Sequence, residues 1–248
     1  MLICVYLEDK RLKKTHAIWE KRNLGQECWE FEVELNDSVE LVSRELNEVD
    51  ATYLVVKVPV NMFEVNNCMI KNGFSFVETI IKDHHDLKKV PIDKLQRRIY
   101  QSIITSGVDS MEDIYREIDR GIFLTDRISV DPFFSTDQVA HRYKNWIEQE
   151  VENGAIAFQI HLKEKVIGFN VLKKVGSVYD LFLGGLYKDY LKSGLGMFLM
   201  YSAIDKAIEL NGKMLKSCVS SNNVGALKVH MQVGFAIDDV KYVFVRHQ

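Results

Sequence analysis

Two glycines with spacing suited to holding a phosphate lie between a strand-like and a helix-like stretch of the sequence. The apolar run 181–186 is typical of a strand, Gly194 and Gly196 follow it, and 198–210 predicts a helix. N–H groups at a helix start favour an anion, and glycine lets the backbone approach it closely. The predicted anion contacts are the main-chain groups of Leu191, Lys192, Ser193, Gly194, Leu195, Gly196 and Met197.

The elements that must position this loop recur, in shortened form, near the start of the chain. In each copy an apolar strand is followed by a short helix, a Gly-Phe pair that ends it, and another strand. The first copy comprises 51–60, 63–71, Gly73-Phe74 and 76–81, and the second 214–219, 223–232, Gly234-Phe235 and 237–245. Such a divergent repeat can also arise by chance, but we expect a small N-terminal α/β unit resembling half of a larger C-terminal one.

The residues between the two copies predict the remaining elements. Residues 98–105 are strand-like, Ser110 and Asp113 fit a capping box that opens a helix to Asp119, and Ser135 caps a second helix. Three strands joined by tight turns are expected at 155–162, 165–174 and 177–186. The predicted order after residue 98 is therefore strand, two helices, three antiparallel strands, helix, strand, helix, strand.

Composition excludes several classes of protein. A hydrophobic content of 47% is that of an ordinary globular chain, and a net charge of −3 gives no electrostatic reason to bind nucleic acid or an anionic membrane. The first ten residues lack the basic start of a signal peptide, and no apolar stretch approaches the roughly 20 residues needed to span a bilayer. We therefore expect a cytoplasmic protein.

Neither the cysteines nor the histidines have the spacing of a metal site. Cys4, Cys28, Cys68 and Cys218 are scattered, as expected of small buried hydrophobic residues. His84 and His85 are adjacent, but no second group of ligands lies near them in sequence. No metal is expected.

Two motifs in this order resemble the GCN5-related N-acetyltransferase (GNAT) superfamily. Its loop pattern, Arg/Gln-x-x-Gly-x-Gly/Ala, corresponds to residues 191–196. Its second motif, Asn-x-x-Ala followed by a hydrophobic residue, Tyr and Gly-Phe, corresponds to 223–235. The resemblance implies an α/β (α+β) fold with a mixed, mostly antiparallel sheet flanked by helices, and acetyl-CoA or another short acyl-CoA as co-substrate.

The sequence departs from the superfamily at two positions. Leu191 replaces the usual Arg or Gln, so its side chain cannot meet phosphate, although the backbone amides of the loop remain. His230 occupies the position of a tyrosine that in the family points at the thioester sulfur. An imidazole is a stronger acid than a phenol, so His230 could protonate the departing thiolate. The alternative is a histidine that only packs or faces water.

The resemblance also implies contacts on the strand before the loop and on the following helix. In the family two neighbouring strands splay there and the pantetheine arm pairs with the exposed edge, which implies main-chain contacts from Leu183, Gly185 and Leu186. A plain strand with two glycines is the alternative. Asn223 would add a polar contact, although capping of its helix alone explains it. Asp180 matches a family position that in some members carries a catalytic Glu. The alternative is an aspartate that is simply solvated at the end of a strand.

The N-terminal part is similar to the dTDP-fucosamine acetyltransferase family. Residues 19–25 resemble its Trp-Asp/Glu-x-x-x-Phe/Leu-Gly start, and the segment around Asp131-Pro132 resembles its first two helices. These enzymes have a truncated half-GNAT unit before the catalytic domain and acylate the amine of a nucleotide-linked aminodeoxysugar. By this resemblance we expect an N-terminal unit at 1–90, a linker at 91–97 and a catalytic domain at 98–248.

The acceptor implied by this similarity is a dTDP- or UDP-linked amino-dideoxysugar used in surface-polysaccharide synthesis. We expect it between the N-terminal unit and the catalytic domain, with its base on an aromatic ring and its diphosphate on an arginine. The candidates are Trp19, Arg127, Phe134 and Tyr143, although each aromatic ring is also a candidate core residue. Many GNAT proteins are dimers, so a homodimer is compatible with the resemblance.

Two other functions fit the same sequence. A GNAT protein could acetylate a peptide or a polyamine, and a polyamine acceptor would require an acidic cleft. Because both Leu191 and His230 depart from the pattern, a catalytically silent acyl-CoA-binding module is the second alternative. Turnover of acetyl-CoA with an amino-sugar nucleotide would separate these functions.

Overall fold

The computed structural model describes residues 12–88 and 92–248, which form two compact units. The first contains the described residues up to Val77 together with Lys241–Gln248, and the second is Glu78–Val240. Cys4, and Val90 and Pro91 before and within the predicted linker, lie outside the described residues. None of the helices in the described ranges combines the length and apolar character that crossing a membrane requires.

The first unit is a small sheet covered by helices. Its elements are β1 (Lys13–His16), α1 (Ile18–Leu24), β2 (Cys28–Glu32), α2 (Val39–Asn47), β3 (Tyr53–Pro59) and α3 (Phe63–Lys71). β1 is antiparallel to β2, and β2 is parallel to β3. Its core forms because β3 is apolar at almost every position, so that Leu54 and Val56 pack with Val42 and Met69.

The second unit contains the elements on which the candidate site is built. They are β4 (Ser75–His85), α4 (Lys94–Tyr100), β5 (Ile103–Gly107), α5 (Glu112–Asp119), α6 (Arg127–Val130), α7 (Thr136–Glu152), β6 (Ile156–Leu162), β7 (Lys165–Val175), β8 (Val178–Leu186), α8 (Gly196–Glu209), β9 (Met214–Ser220), α9 (Val224–Val233) and β10 (Ala236–His247). The first residues of β4 and the last of β10 belong to the first unit.

The sheet of the second unit has the order β4-β9-β8-β7-β6-β5. Only β8 and β9 pair in parallel, whereas the other neighbours are antiparallel. The core forms where the apolar stripe of α8 meets the sheet, with Ala203 and Ile204 packed against Ile160 and Leu215. A mixed, mostly antiparallel sheet flanked by helices confirms the predicted fold class.

The predicted elements from residue 135 onward are confirmed. Ser135 caps α7 in a capping box with Gln138, and Asn223 caps α9. Gly234, with φ of 95°, ends α9 in the left-handed conformation that glycine adopts without strain.

Two expectations nearer the middle of the chain were wrong. Residues 98–100 belong to α4, which Asp93 and Gln96 open with a capping box, so the strand begins only at Ile103. Ser110 does not form the predicted box, because the N-cap of α5 is Met111 and the Ser110 hydroxyl accepts only the N–H of Glu112. The strand predicted at 76–81 does form, but it extends to His85.

The compact units are drawn differently from the predicted domains. Residues 80–85 of β4 pair with β9, so this strand completes the sheet of the second unit. Residues 241–247 of β10 pair with β3 and complete the sheet of the first unit. Strand pairing therefore joins distant parts of the sequence within each unit, and the boundaries at 1–90 and 98–248 stay a prediction.

Candidate functional site

The sheet of the second unit opens between β8 and β9. These strands pair only from Val178 to Asp180 on β8 and from Met214 to Lys216 on β9. Beyond these residues β8 continues along β7 to Leu186, while β9 continues along β4 to Ser220. The two strands diverge after Asp180, so a facing edge of each carries main-chain groups outside the ladder.

A bulge and two glycines shape β8 along this opening. The register between β7 and β8 shifts at Val171 and Leu172, which leaves Phe182 without a partner residue. A Cβ at Gly184 would lie 2.2 Å from Oδ1 of Asn170, and a Cβ at Gly185 would lie 3.2 Å from the ring of Phe123. Both glycines therefore permit close approach of side chains to the backbone of the strand.

Alternation along β8 decides which main-chain groups face the opening. The Tyr187 N–H donates to the Ile167 carbonyl of β7 at 2.8 Å. Because backbone groups of successive residues point to opposite edges, those of Leu183 and Gly185 face β7. Those of Gly184 and Leu186 face the opening. Among the residues predicted to make main-chain contacts, this geometry favours Leu186, and it adds Gly184, which was not one of the predicted contacts.

The loop after β8 presents unused N–H groups. Lys192 and Gly194 both have positive φ, 62° and 81°, and Ser193 is held because its hydroxyl donates to the Tyr190 carbonyl at 2.6 Å. The Ser193 and Leu195 N–H groups are bonded within the loop. Within the described part of the chain, no hydrogen-bond partner is found for the N–H groups of Lys192, Gly194, Gly196 and Met197. Four donors at the start of α8 thus suit an anion.

The remaining predicted coenzyme residues are Leu191, at the start of the loop, and Asn223, at the start of α9. The Leu191 side chain is exposed and apolar, and its N–H donates to the Lys188 carbonyl. The Asn223 Oδ1 accepts the Ala226 N–H at 3.0 Å, so its role as a helix cap is realised.

His230 is buried and paired with a carboxylate. It is 4% exposed, and its Nδ1 lies 2.9 Å from Oδ2 of Asp83, which is 1% exposed. The ring of Phe235 packs against the imidazole with centroids 4.7 Å apart. Asp83 lies on β4 opposite Ser217, one residue beyond the last pair of β8 and β9, so His230 lies level with the point where these strands diverge.

The adjacent histidines of β4 have separate surroundings. The Nδ1 of His84 lies 2.6 Å from Asp238, near the surface. His85 is buried, its Nδ1 accepts the Leu87 N–H, and burial lowers its pKa. No group of three or more His, Cys, Asp or Glu residues in the described ranges is arranged to hold a metal ion.

Asp180 is the last residue of β8 before the opening. It faces Lys173 on β7 and Lys216 on β9. Burial raises the pKa of its carboxyl above the ordinary aspartate value, and the neighbouring lysines oppose that shift. A carboxylate with a raised pKa is a stronger base than an ordinary aspartate, which suits it to accept a proton at this position.

Aromatic side chains line a cavity of about 330 Å³ beside α5 and α7. Phe123 packs on Tyr143 with ring centroids 4.6 Å apart, and Phe134 also lines the cavity. Burial raises the pKa of Tyr143 well above its usual value, and its hydroxyl bonds to Asp126 and Ser129. Phe134 and Tyr143 are thus core residues that also border a cavity.

The other two predicted acceptor residues lie elsewhere. Arg127 is 8% exposed on α6, where its N–H donates to the Glu78 carboxylate at 3.2 Å. Burial raises the pKa of Glu78, and the charge of Arg127 opposes that shift. Trp19 is half-buried on α1 in the first unit. Sequence reasoning missed both carboxylates of β4, because each contacts residues far away in sequence.

The split sheet, the unpaired N–H groups before and at the start of α8, and the buried acid–imidazole pair together describe an α/β protein whose geometry suits a phosphorylated ligand. The family model described as Acetyltransferase (GNAT) family matches residues 112–235, half of the chain, and the chain belongs to this family. It is therefore an acyltransferase of the GNAT superfamily, whose members bind coenzyme A and use acyl-CoA. None of the curated proteins compared with it matches significantly.

Solved GNAT structures are similar to most of the chain. A GCN5-related N-acetyltransferase from Sphaerobacter thermophilus has a TM-score of 0.62 at 9% identity, over 95% of this chain and 76% of that one. The tandem GNAT protein from the clavulanic acid biosynthesis pathway has a TM-score of 0.53 at 10% identity, over 89% and 75%. A GCN5-related glucosamine N-acetyltransferase region of a fungal multi-domain β-N-acetylglucosaminidase has a TM-score of 0.57 at 13% identity, over 84% of this chain and 27% of that one. At these identities the likeness shows the fold.

Proposed function

We propose that the protein transfers a short acyl group, acetyl or hydroxybutyryl-like, from acyl-CoA to the amine of a nucleotide-linked amino-dideoxysugar. Acyl transfer is supported by the opening between β8 and β9. Unpaired N–H donors lie at one end of this opening, and a buried imidazole lies level with the point where the two strands diverge. The sugar acceptor rests on the similarity of the N-terminal sequence, and a role in surface-polysaccharide synthesis follows from that acceptor.

The donor side fits coenzyme A. Its pyrophosphate would take the N–H groups of Lys192, Gly194, Gly196 and Met197, which have no partner in the described chain. Main-chain groups of Gly184 and Leu186 are available to the pantetheine arm, and an N–H of this strand would stabilise the oxyanion. Bound acyl-CoA supplies an activated thioester, and the protein supplies position and protons.

His230 and Asp180 are proposed to move the protons. His230 would donate one to the leaving sulfur, because it occupies the position from which the family delivers its acid. Asp180 would accept one from the acceptor amine, since it lies at the edge of the opening and burial raises its pKa. A mildly basic sugar amine could also lose its proton to water, in which case Asp180 would be dispensable.

Three observations bear on the acceptor. The aromatic cavity beside Gly185 offers ring surfaces on which a base could stack. Lys188 lines that cavity and forms no ion pair with the described residues, whereas Arg120 is already held by Glu117 and Asp189. A cation there disfavours a polyamine. The glucosamine N-acetyltransferase region named above shows that this fold acts on an amino sugar in another protein.

A thiol-release assay tests the proposal. The purified protein would be mixed with acetyl-CoA or hydroxybutyryl-CoA and a panel of dTDP- and UDP-linked amino sugars, with spermidine and a lysine peptide as comparison acceptors. We expect turnover with at least one amino-sugar nucleotide. Turnover only with the peptide or the polyamine would replace the acceptor class. Tight acyl-CoA binding without turnover would favour a silent binding module.

A further inference from the structure

The buried pair of Asp83 and His230 joins residues that sequence order keeps far apart. Asp83 lies on β4, before the segment matched by the family model, and His230 lies on α9. Their contact, Oδ2 to Nδ1 at 2.9 Å, is almost fully removed from solvent. The structure thus adds a carboxylate to the imidazole that the sequence places at the acid position.

This contact leaves one ring nitrogen for chemistry. An ionised carboxylate only accepts hydrogen bonds, so the proton of this contact resides on Nδ1 of His230. Phe235 packs on the imidazole and limits its rotation. Nε2 is consequently the atom of His230 that can exchange a proton with a ligand.

Burying Asp83 and His230 is unfavourable in free energy if the pair serves only to fill the core. The second oxygen of Asp83, Oδ1, is buried and has no hydrogen-bond partner in the described chain, and His230 is the only cationic partner of Asp83 found there. Burying a carboxylate with one partner is unfavourable relative to apolar packing. Groups kept at such a cost are commonly found at functional sites.

We propose that Asp83 is a positioning residue for acyl transfer: it fixes the ring of His230 and accepts the hydrogen bond of Nδ1–H, so that the protonated ring gives up its proton from Nε2. The proposal rests on the acid role of His230 proposed above. Asp83 itself touches no reacting atom. Asp83 would act like the carboxylate that, in other enzymes, orients a catalytic histidine and selects its tautomer.

Kinetics of three variants test the proposal. His230→Phe should bind acyl-CoA normally and lose on the order of 10²-fold in kcat. Asp83→Asn should lower kcat by about 10- to 100-fold with an unchanged KM for acyl-CoA, because the amide can donate to Nδ1 and select the other tautomer. In the double variant kcat should equal that of His230→Phe, since Asp83 acts only through the imidazole.

Measurements on the protein without ligand separate positioning from packing. His230→Phe should melt several degrees below the native protein because Asp83 loses its partner, and adding Asp83→Asn should raise that Tm again. The second substitution would then raise stability and leave kcat unchanged. Once the ring has given up one proton, the imidazole ¹⁵N spectrum should show the remaining His230 proton on Nδ1 in the native protein and on Nε2 in Asp83→Asn.

A second His–Asp pair, formed by His84 of β4 and Asp238 of β10, gives a matched control. His84 and Asp238 are 2.6 Å apart, but both side chains are partly exposed. Asp238→Asn should leave kcat unchanged. If Asp83→Asn kept the native kcat, or if adding it to His230→Phe lowered kcat further, the positioning role of Asp83 would be overturned and the acid role of His230 would stand. Native kcat in His230→Phe would instead remove the acid role on which it rests.

Discussion

At the scale of single residues, the apolar Leu191 distinguishes this coenzyme loop from the family pattern. Its side chain is 41% exposed, so a long polar replacement fits without disturbing the core. An exposed ion pair contributes about 0.2–1 kcal/mol, which corresponds to an up to fivefold change in affinity.

Leu191→Arg should therefore lower the KM for acyl-CoA by about two- to fivefold, with little change in kcat. The gain should shrink at high salt, because exposed charges are screened. Leu191→Met, which stays apolar, is the matched control and should match the native KM. Steady-state kinetics at two ionic strengths measure both effects. An unchanged KM in the arginine variant would show that this position does not reach the phosphates.

Glu78 links a buried carboxyl to the pH dependence of stability. Burial raises its pKa above the ordinary glutamate value, whereas the charge of Arg127 and the bond from its N–H oppose the shift. Since the folded state favours the protonated form, the stability that Glu78 contributes is present at low pH and is lost as pH rises through its raised folded pKa.

Glu78→Gln should remove this loss. At pH 7 the free energy of unfolding of the variant, measured by urea titration, should equal or exceed that of the native protein. Below about pH 4 the difference between the two proteins should disappear. Glu27 is the control of opposite sign, because hydrogen bonds from Lys21 and His16 lower its pKa. Glu27→Gln should show no gain at pH 7. The assignment would be contradicted if the substitution lowered the free energy of unfolding, relative to the native protein, more at pH 7 than at pH 4.

The sequence predicts some of these residues better than others. Sequence comparison alone identified His230, because its helix carries a compact motif with fixed spacing. Asp83 and Glu78 carry no such signal, since their partners lie 147 and 49 positions away and are set by the register of β4. A strand with charged residues on both faces gives no local indication of which charges become buried.

At the scale of elements, β8 depends on a glycine at its closest approach to β7. A methyl group at Gly184 would collide with Oδ1 of Asn170, whose amide nitrogen donates to the Leu199 carbonyl of α8 at 2.9 Å. The collision must displace either the strand edge or this buried hydrogen bond.

Gly184→Ala should therefore destabilise the protein by about 1–3 kcal/mol and lower kcat/KM for acyl-CoA. Gly225 offers the matched control, since it lies in α9 with no neighbour closer than 3.7 Å. Gly225→Ala should be neutral or stabilising by up to about 1 kcal/mol, because alanine favours a helix. Chemical denaturation and steady-state kinetics of both variants decide the matter. Equal effects of the two substitutions would show that the contact at Gly184 is not restrictive.

Elements were predicted correctly where buried residues recur along the sequence at regular spacing or without interruption. They were missed where the element buries no residue. β6, β7 and β8 alternate or are continuously apolar, and their limits were predicted within about two residues. No residue of α4 is buried, so it has no apolar stripe to detect. The capping box of Asp93 and Gln96 was the available signal.

At the scale of the whole molecule, the pairing of β4 with β9 bears on where a fragment that carries the candidate site must begin. A fragment of residues 98–248 lacks the strand that pairs with residues 215–220 of β9, and it lacks Asp83. A fragment of residues 78–248 retains both.

We expect the longer fragment to be more soluble and to unfold more cooperatively than the shorter one, which additionally exposes the edge of β9 that pairs with β4. Circular dichroism during thermal unfolding and size-exclusion chromatography measure the difference. A variant of the longer fragment with Ile80 and Lys82 replaced by proline removes the pairing without changing length, and it should behave like the shorter fragment. Identical behaviour of 98–248 and 78–248 would support the predicted boundary instead.

The ladder between β3 and residues 241–247 has a consequence for the order of synthesis. β3 leaves the ribosome long before residues 241–247, yet one of its edges gains a partner only when those residues have been translated. Until then a highly apolar strand keeps an open edge, which is a template for pairing with other nascent chains. Residues 241–247 are thus needed to finish a unit whose other strands are made much earlier, so a premature stop near residue 240 would damage the first unit.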